Sequence, residues 1–278
     1  RFGDDRGGDD TAATTQNLLL AVVYISDLRT PADASLLGNI YEPVQALSTP
    51  GLFSSTDQAN EVIQGEWGQS FMNDIGENVN VKLLGMHCKG MRCFTNNVRE
   101  LRTPSDAAGI TFRVMENTVS IRMVEAMDAI ATPMSGSEMY SALETGVVDG
   151  QENPVINIVQ DLTYEVQKYL TLDEHMAGFM AYIMNVDFYN NLPDDLKAVV
   201  DEGAAQATQA ALDVVVNRSE ECVQELKDYG MQVYEPTAEE KAEWQQVLFD
   251  GTVDYVRSVV GDEVMDGLVA AVEATETA

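Results

Sequence analysis

Arg113 is the residue best placed by the sequence to bind an anion. It lies in the alternating stretch Ile110–Met115, whose apolar residues predict a largely buried β-strand. A buried guanidinium keeps its charge and needs an anion beside it. That anion is either a carboxylate of the protein, in a structural ion pair, or the carboxylate of a ligand held by two parallel N–H groups.

Arg92 is the second candidate. Residues Lys89–Arg92 contain Gly90 and are predicted to form a turn between two short strands, Val79–Leu84 and Cys93–Thr95. An arginine at this position either faces a ligand or is a solvated side chain at the tip of a hairpin.

The third candidate is an amide-rich segment. A short strand at Val147–Val148 is predicted to lead through a loop, Asp149–Asn153, into a helix that starts at Pro154 and is capped by Asn153. Free N–H groups at a helix N-terminus bind anions, and Gln151 adds a second amide side chain. An ordinary strand-to-helix connection with an asparagine cap is the alternative.

Patterns of common enzyme and metal sites are missing. The sequence has no G-x-S-x-G, G-x-x-x-x-G-K or H-E-x-x-H motif and no paired glycines of a dinucleotide fold. Its three cysteines form no C-x-x-C pair, so we expect no metal, no cofactor and no catalytic residue. Cys88 and Cys93 form a small-loop disulfide or remain thiols.

Composition narrows the partners. The 278 residues, 45% of them hydrophobic, suffice for one large domain or two lobes. The formal net charge of -30 repels nucleic acid and anionic lipid, so neither is an expected partner. This acidity fits a high-salt habitat or an ordinary acidic bacterial protein.

The longest apolar run, Leu18–Ile25, is a strand or part of a helix and is too short for membrane insertion. No signal peptide opens the chain.

Alternating strands and helices predict an α/β fold. A capping box at Ser135–Glu138 opens a helix that Gly146 closes, and another at Thr237–Glu240 opens a late helix. A helix from Pro193 to Tyr229 would be about 50 Å long and would brace two lobes. Further predicted elements are a helix at Asp57–Ile75 and strands at Tyr164–Thr171 and Met176–Val186.

Four blocks of the chain resemble one protein family, and they occur in the family's order and spacing. The blocks are Gly109–Asn117, Thr132–Gly146, Val148–Pro154 and Tyr164–Leu170. They resemble the solute-binding proteins of TRAP (tripartite ATP-independent periplasmic) transporters, DctP type. The Gln-Glu-Asn-Pro sequence ending at Pro154 is most similar to the branch that binds C4-dicarboxylates. The similarity covers nearly the whole chain and is strongest between residues 85 and 195.

The resemblance implies a two-lobed, periplasmic-binding-protein-like α/β fold with crossing hinge strands and a long helix that spans the lobes. Lobe I would comprise residues 1–89 and 180–218, and lobe II residues 90–179 and 219–278. The family pattern has a further segment before residue 1, so we expect a fragment or an incomplete lobe I. Many relatives carry a bulky residue where this chain has Gly136, which is expected to leave the pocket wall open.

The resemblance also implies the site and the function. Arg113 would clamp a ligand carboxylate, with Arg92, Asn153, Gln151 and Glu138 as further ligand-binding residues. The protein would be a periplasmic subunit that captures a small organic carboxylate, a C4-dicarboxylate or similar acid, and delivers it to the membrane permease of a TRAP transporter without a chemical step. The alternatives are a ligand-sensing module for a signalling receptor and an organic-acid hydrolase.

Overall fold

The computed structural model describes residues 32–276, so the predicted element at Leu18–Ile25 lies outside the described residues. The strands are β1 Ala32–Asp33, β2 Val81–Asn96, β3 Thr111–Val114, β4 Ile130–Pro133, β5 Gly150–Pro154, β6 Tyr169–Asn185 and β7 Gln232–Tyr234. The α-helices are α1 Thr56–Gln64, α2 Glu66–Val79, α3 Thr118–Glu125, α4 Gly136–Thr145, α5 Val155–Gln160, α6 Val186–Asn190, α7 Asp194–Tyr229, α8 Ala238–Val260 and α9 Asp262–Glu276. Short 3₁₀ segments occur at Ala34–Asn39, Glu42–Ser48, Pro104–Ala107 and Thr163–Glu165.

Two long strands form the centre of one mixed sheet. The strand order is β1-β6-β2-β5-β3-β4, and β7 pairs with β6. The antiparallel pair of β2 and β6 runs from Val81 opposite Asn185 to Asn96 opposite Tyr169. Its register shifts between positions 83 and 85, between 88 and 91, and between 92 and 94. Such irregularities bend and twist a strand pair, and the last two fall where the pair passes from one hydrophobic core to the next.

Two regions of hydrophobic core confirm the predicted two-lobed α/β architecture. The first region takes Met86 and Cys88 from β2, Phe179 and Ile183 from β6, and side chains of α1 and α2. The second lobe contains a core around Phe94, Phe112 and Trp244 and another around Cys93, Ile158 and Leu226. β2 and β6 therefore cross between the lobes.

The C-terminal helix packs against the first lobe. Met265, Leu268 and Val272 of α9, with Val256 and Val260 of α8, belong to the same core as α1 and α2. The predicted lobe boundaries, which placed residues 219–278 in lobe II, stay a prediction. These contacts favour a first lobe that also contains the end of α8 and all of α9.

The long helix α7 has 36 residues and is about 54 Å long at 1.5 Å per residue. Val200 near its start packs with Met184, whereas Cys222 and Leu226 near its end pack in a core of the second lobe. Gly230 ends it in the left-handed region at φ 115°. The predicted lobe-spanning helix is therefore confirmed. Among residues 32–276, no helix combines the length and the apolar character that crossing a bilayer requires.

Three predicted elements differ from the structure. The helix expected at Asp57–Ile75 is divided at Gly65, whose extended backbone separates α1 from α2. The turn expected at Lys89–Arg92 is absent, because these residues lie inside β2 at the shift in register, with Gly90 at φ 123°. The two strands expected between Tyr164 and Val186 are the single strand β6, preceded by a 3₁₀ turn.

The predicted strand at Val147–Val148 and the loop at Asp149–Asn153 are also wrong. Residues Gly150–Pro154 form β5, whose backbone pairs with β2. Gly150 permits this close approach, since a Cβ there would lie 2.3 Å from the carbonyl oxygen of Thr95. The helix begins one residue later than expected, with Pro154 as its N-cap, so Asn153 does not cap it.

The two predicted capping boxes are confirmed at the starts of α4 and α8, and Gly146 closes α4 at φ 71°. Cys88, Cys93 and Cys222 are buried free thiols, so the disulfide alternative is not observed.

Candidate ligand-binding site

A cavity of about 260 Å³ lies where the two lobes meet beside the crossing strands. The first lobe contributes Asp33 and Leu36, and β2 contributes Lys89 and Arg92. Further lining residues from the second lobe are Arg113, Met115, Glu116, Ser135, Gly136, Met139, Asn153, Asn157 and Asp161.

Arg113 is a buried cation whose contacts are all uncharged. β3 holds it between the fully buried side chains of Phe112 and Val114, and Arg113 itself is 5% exposed. Its Nε and Nη2 donate to the carbonyl oxygen of Met134 at 3.0 and 2.8 Å, and Nη1 lies 3.8 Å from the sulfur of Met139. No carboxylate of the described residues lies within ion-pair distance of it.

This arrangement distinguishes the two explanations of Arg113. Burial lowers the pKa of its guanidinium, and more distant carboxylates, first that of Glu152, offset the effect only in part. A structural ion pair would place a carboxylate on the guanidinium. The described residues supply none, which favours a ligand as the missing anion.

Arg92 is 1% exposed, so the alternative of a solvated hairpin arginine is wrong. Its Nε and Nη2 donate to the carboxylate of Glu152, and Nη2 also donates to the Glu152 carbonyl oxygen at 2.7 Å. Nη1 is buried without a hydrogen-bond partner among the described residues and lies 3.8 Å from an oxygen of Asp33. One edge of Arg92 is thus fixed by Glu152, and the remaining nitrogen is buried beside Asp33.

Glu152 belongs to a buried group of charges behind the cavity. Nδ1 of His175 lies 2.5 Å from Asp173, and Nε2 lies 3.5 Å from Glu152, as an ion-pair contact without hydrogen-bond geometry. Burial would raise the pKa of Glu152, but Arg92 and His175 lower it to about 2. Burial would lower the pKa of His175, but Asp173 and Glu152 raise it to about 9. At neutral pH the cations of Arg92 and His175 balance the carboxylates of Glu152 and Asp173. The group therefore fixes Arg92 without adding net charge.

Asn153 lines the cavity, and Gln151 stands behind it on the same face of β5. Nδ2 of Asn153 donates to Oε1 of Gln151 at 2.7 Å. Gln151 is fully buried and donates to Oγ1 of Thr95 at 2.9 Å. Gln151 does not line the cavity, so the geometry favours a supporting position for it over direct contact with a ligand.

Glu138 lies outside the cavity. It is exposed on α4, and its carboxylate accepts from the hydroxyl of Ser135 at 2.6 Å and from the Ser135 N–H at 3.3 Å, as in a capping box. These contacts account for Glu138 without a ligand. Gly136 does line the cavity, and a Cβ at Gly136 would lie 4.0 Å from Nη2 of Arg113. A larger side chain at Gly136 would therefore come close to the guanidinium of Arg113.

The sequence did not indicate the acidic side of this cavity. Asp33 pairs with Lys89 at 3.0 Å and accepts from Ser35. Burial would raise the pKa of Asp33, but Lys89 and Arg92 lower it to about 2. Burial raises the pKa of Asp161, against the attraction of Lys89 and Arg113.

Glu116 completes the acidic side; it is exposed and lies two residues after the end of β3. The sequence contains many carboxylates, so only the folded structure identifies Asp33, Asp161 and Glu116 as residues that line the cavity. A strand assignment for residues 150–154 would have indicated the shared face of Gln151 and Asn153, because side chains alternate along a strand.

Two larger clefts flank the long helix α7, but they offer no comparable anion site. One, of about 640 Å³, contains Lys227, whose amine is paired with Glu235. The other, of about 590 Å³, contains Lys82, which lies over the ring of Tyr189. Neither cleft brings a buried arginine to its surface, so the smaller cavity is the candidate site.

Two lobes joined by crossing strands, with a cavity between them that holds a buried arginine, define the class of solute-binding proteins. Residues 30–252 match the profile of the bacterial extracellular solute-binding proteins, family 7, DctP. The chain belongs to this family, the solute-binding proteins of TRAP transporters.

Three relatives illustrate the similarity. The C4-dicarboxylate-binding periplasmic protein DctP of Rhodobacter capsulatus is 31% identical over 230 residues, 82% of this chain and 68% of that protein. A TRAP solute-binding protein of Shewanella oneidensis with bound succinate has a TM-score of 0.83, with 28% identity over 92% of this chain and 84% of that one. The sugar acid-binding protein of Advenella mimigardefordensis with galactonate has a TM-score of 0.85, with 26% identity over 96% and 84%. The chain spans 58% and 49% of the length of two further curated relatives.

Proposed function

We propose that this protein captures a small organic acid anion in the cavity between its lobes and delivers it to the permease of a TRAP transporter. The observation that carries the proposal is the buried guanidinium of Arg113, which lines the cavity and has no carboxylate partner among the described residues. A ligand carboxylate supplies the missing charge and accepts charge-assisted hydrogen bonds. Family membership supports the same function, because solved relatives hold succinate and galactonate.

Delivery depends on closure of the lobes. The cavity takes residues from both lobes and from β2, so a ligand that contacts Arg113 and the Asp33 side favours the closed arrangement through its differential affinity. The permease then recognises a surface that exists only in the closed form. Such a protein acts outside the cytoplasmic membrane, in the periplasm, and its ligand leaves chemically unchanged. No observation favours a signalling receptor or a hydrolase.

The test is a thermal-denaturation screen with a panel of organic acids, run in parallel on the wild type and on Arg113→Met. A ligand at 100 times its dissociation constant stabilises the folded state by about 2.7 kcal/mol. We expect at least one acid to stabilise the wild type and not the variant, and mass spectrometry to recover that acid unchanged. An acid that stabilises both proteins equally, a panel without any stabilising acid, or turnover of the bound acid would contradict the proposal.

A further inference from the structure

The balance of charge around the cavity restricts which acids fit. Three lining residues are cationic and three are anionic: Lys89, Arg92 and Arg113 against Asp33, Glu116 and Asp161. Lys89 is already paired with Asp33. Arg92 is already paired with Glu152 behind the wall. Among the described lining residues, this leaves Arg113 as the one cation without a carboxylate partner.

A second ligand carboxylate would therefore meet like charge. Asp33 is ionised at neutral pH, but its charge is balanced by Lys89 at 3.0 Å, so this pair adds no net charge to the cavity. Glu116 and Asp161 add two carboxylates that form no ion pair within 4 Å among the described residues. Both carboxylates are exposed, so solvent screens them in part, but a ligand in the cavity that they line would lie within the Debye length of about 8 to 10 Å, where like charges still repel.

A relay of hydrogen bonds determines what Asn153 offers to the cavity. The relay begins at Gln167, whose Nε2 donates to the carbonyl oxygens of Val166 and Asp149, at 3.0 and 3.3 Å. Its Oε1 must therefore accept, and Thr95 Oγ1 donates to it at 2.8 Å. The hydroxyl of Thr95 then accepts from Gln151.

The relay ends at the cavity. Because Gln151 uses Nε2 on Thr95, its Oε1 must accept, and Nδ2 of Asn153 is the donor. Within the described structure this leaves Oδ1 of Asn153 as a hydrogen-bond acceptor with no donor. An acceptor binds a hydroxyl group and repels a carboxylate. The orientation is also the reverse of the one that a carboxylate-binding asparagine requires.

We propose that the cavity selects a short hydroxylated monocarboxylate, whose carboxylate pairs with Arg113 and whose hydroxyl groups donate to Asn153 Oδ1 and to the carboxylates of Asp161 and Glu116, and that it discriminates against dicarboxylates. This inference rests on the proposed function and narrows its ligand. The similarity to relatives does not decide the matter, because succinate and galactonate represent both classes. The cavity volume of about 260 Å³ favours a chain of few carbon atoms.

The test compares three acids of equal chain length by calorimetry on the wild type. The first is 2,3,4-trihydroxybutanoate, as both the erythro and threo isomers. The second is tartrate, which has a carboxylate in place of the terminal hydroxymethyl group, and the third is butanoate, which has no hydroxyl group. We expect the better trihydroxybutanoate isomer to bind at least tenfold more tightly than any tartrate isomer and at least tenfold more tightly than butanoate.

Neutralisation of one carboxylate tests whether the charges that line the cavity cause the discrimination. Asp33→Asn leaves Lys89 without its carboxylate partner, which adds an unpaired cation to the cavity, and it retains an N-cap for the 3₁₀ segment that follows, because asparagine caps as well as aspartate does. It should reduce the discrimination against tartrate at least fivefold. Asp254→Asn, on the exposed face of α8 away from the cavity, removes the same charge from the whole protein and should leave the ratio unchanged.

The outcomes separate this inference from the function on which it rests. Tartrate binding as tightly as trihydroxybutanoate, or butanoate doing so, overturns the inference and leaves carboxylate capture intact. If Asp33→Asn and Asp254→Asn change the ratio of the affinities for trihydroxybutanoate and tartrate equally, the discrimination is a general effect of net charge. That result overturns the role of the charges that line the cavity. Failure of every organic acid to bind overturns the proposed function and the inference together.

Discussion

Loss of charge at the two buried arginines should have different effects on the stability of the ligand-free protein. Arg113→Met removes a desolvated cation that has no carboxylate partner, and its flexible apolar side chain can pack beside Met139. The relief of desolvation offsets the two lost hydrogen bonds to Met134, so we expect the free energy of unfolding of the ligand-free protein to change by no more than about 1 kcal/mol. Arg92→Met instead leaves Glu152 buried and unpaired, which costs about 3 to 5 kcal/mol.

Removal of Arg113 should weaken ligand binding although it leaves the stability of the fold nearly unchanged. Without Arg113 the ligand carboxylate loses its cation, which costs about 2 to 5 kcal/mol, or about 30-fold to a few thousandfold in dissociation constant. Arg113→Lys keeps the charge but loses the planar fork, and one lost charge-assisted hydrogen bond of about 1.5 to 3 kcal/mol weakens binding about 10- to 150-fold.

Calorimetry with the tightest acid of the panel measures the affinities, and thermal denaturation without ligand compares the two methionine variants. For a protein of this size about 1 kcal/mol corresponds to about 2 to 4 °C, so Arg92→Met should melt at least about 4 °C below Arg113→Met. Equal destabilisation by the two variants would show that Arg113 is structural. Unchanged affinity in a folded Arg113→Met protein would refute its role in binding.

Two further predictions concern pH and salt. The pKa of His175 is about 9 in the folded protein against 6.5 for an ordinary histidine, so the stability it contributes is complete below pH 6.5 and is lost as the pH rises through 9. The melting temperature should therefore fall less over this range in His175→Gln than in the wild type. His87→Gln is the control, because the pKa of His87, lowered by burial to about 4, gives no slope there. The melting temperature of the wild type should also rise steeply up to molar salt, since screening relieves repulsion within a net charge of -30; a flat response would contradict that explanation of its acidity.

Local chemistry accounts for the elements that were predicted correctly. The capping box at Ser135 and the left-handed Gly146 define α4 by contacts within a few residues of each end. The long helix α7 ends where Gly230 adopts a positive φ, and no proline interrupts it. Such features depend on neighbouring residues, so they can be read from the order of residues alone.

The errors fall where distant segments decide the local structure. Lys89–Arg92 and Gly150–Asn153 have the composition of a turn and a loop. In the folded chain each is instead part of a strand, because each pairs with a segment distant from it in the sequence. Gly150–Asn153 pairs with Cys93–Asn96 of β2. The end of the Lys89–Arg92 segment pairs with Met176 and Ala177 of β6. Hydrogen bonding across a sheet outweighs the weak local preference of glycine and asparagine for turns.

The candidate site also combines features that neighbouring residues determine with features that contacts between distant segments determine. The sequence by itself determined that Arg113 is a buried cation in need of an anion, because the apolar residues around it in the strand are local information. Only the tertiary structure decided that this anion is missing from the described residues, and that Arg92 is already neutralised by Glu152. Whether a charge is paired depends on which of the 46 acidic residues folds against it, and no local pattern contains that information. The acceptor face of Asn153 was decided in the same way, by a relay that joins β2, β5 and the segment before β6.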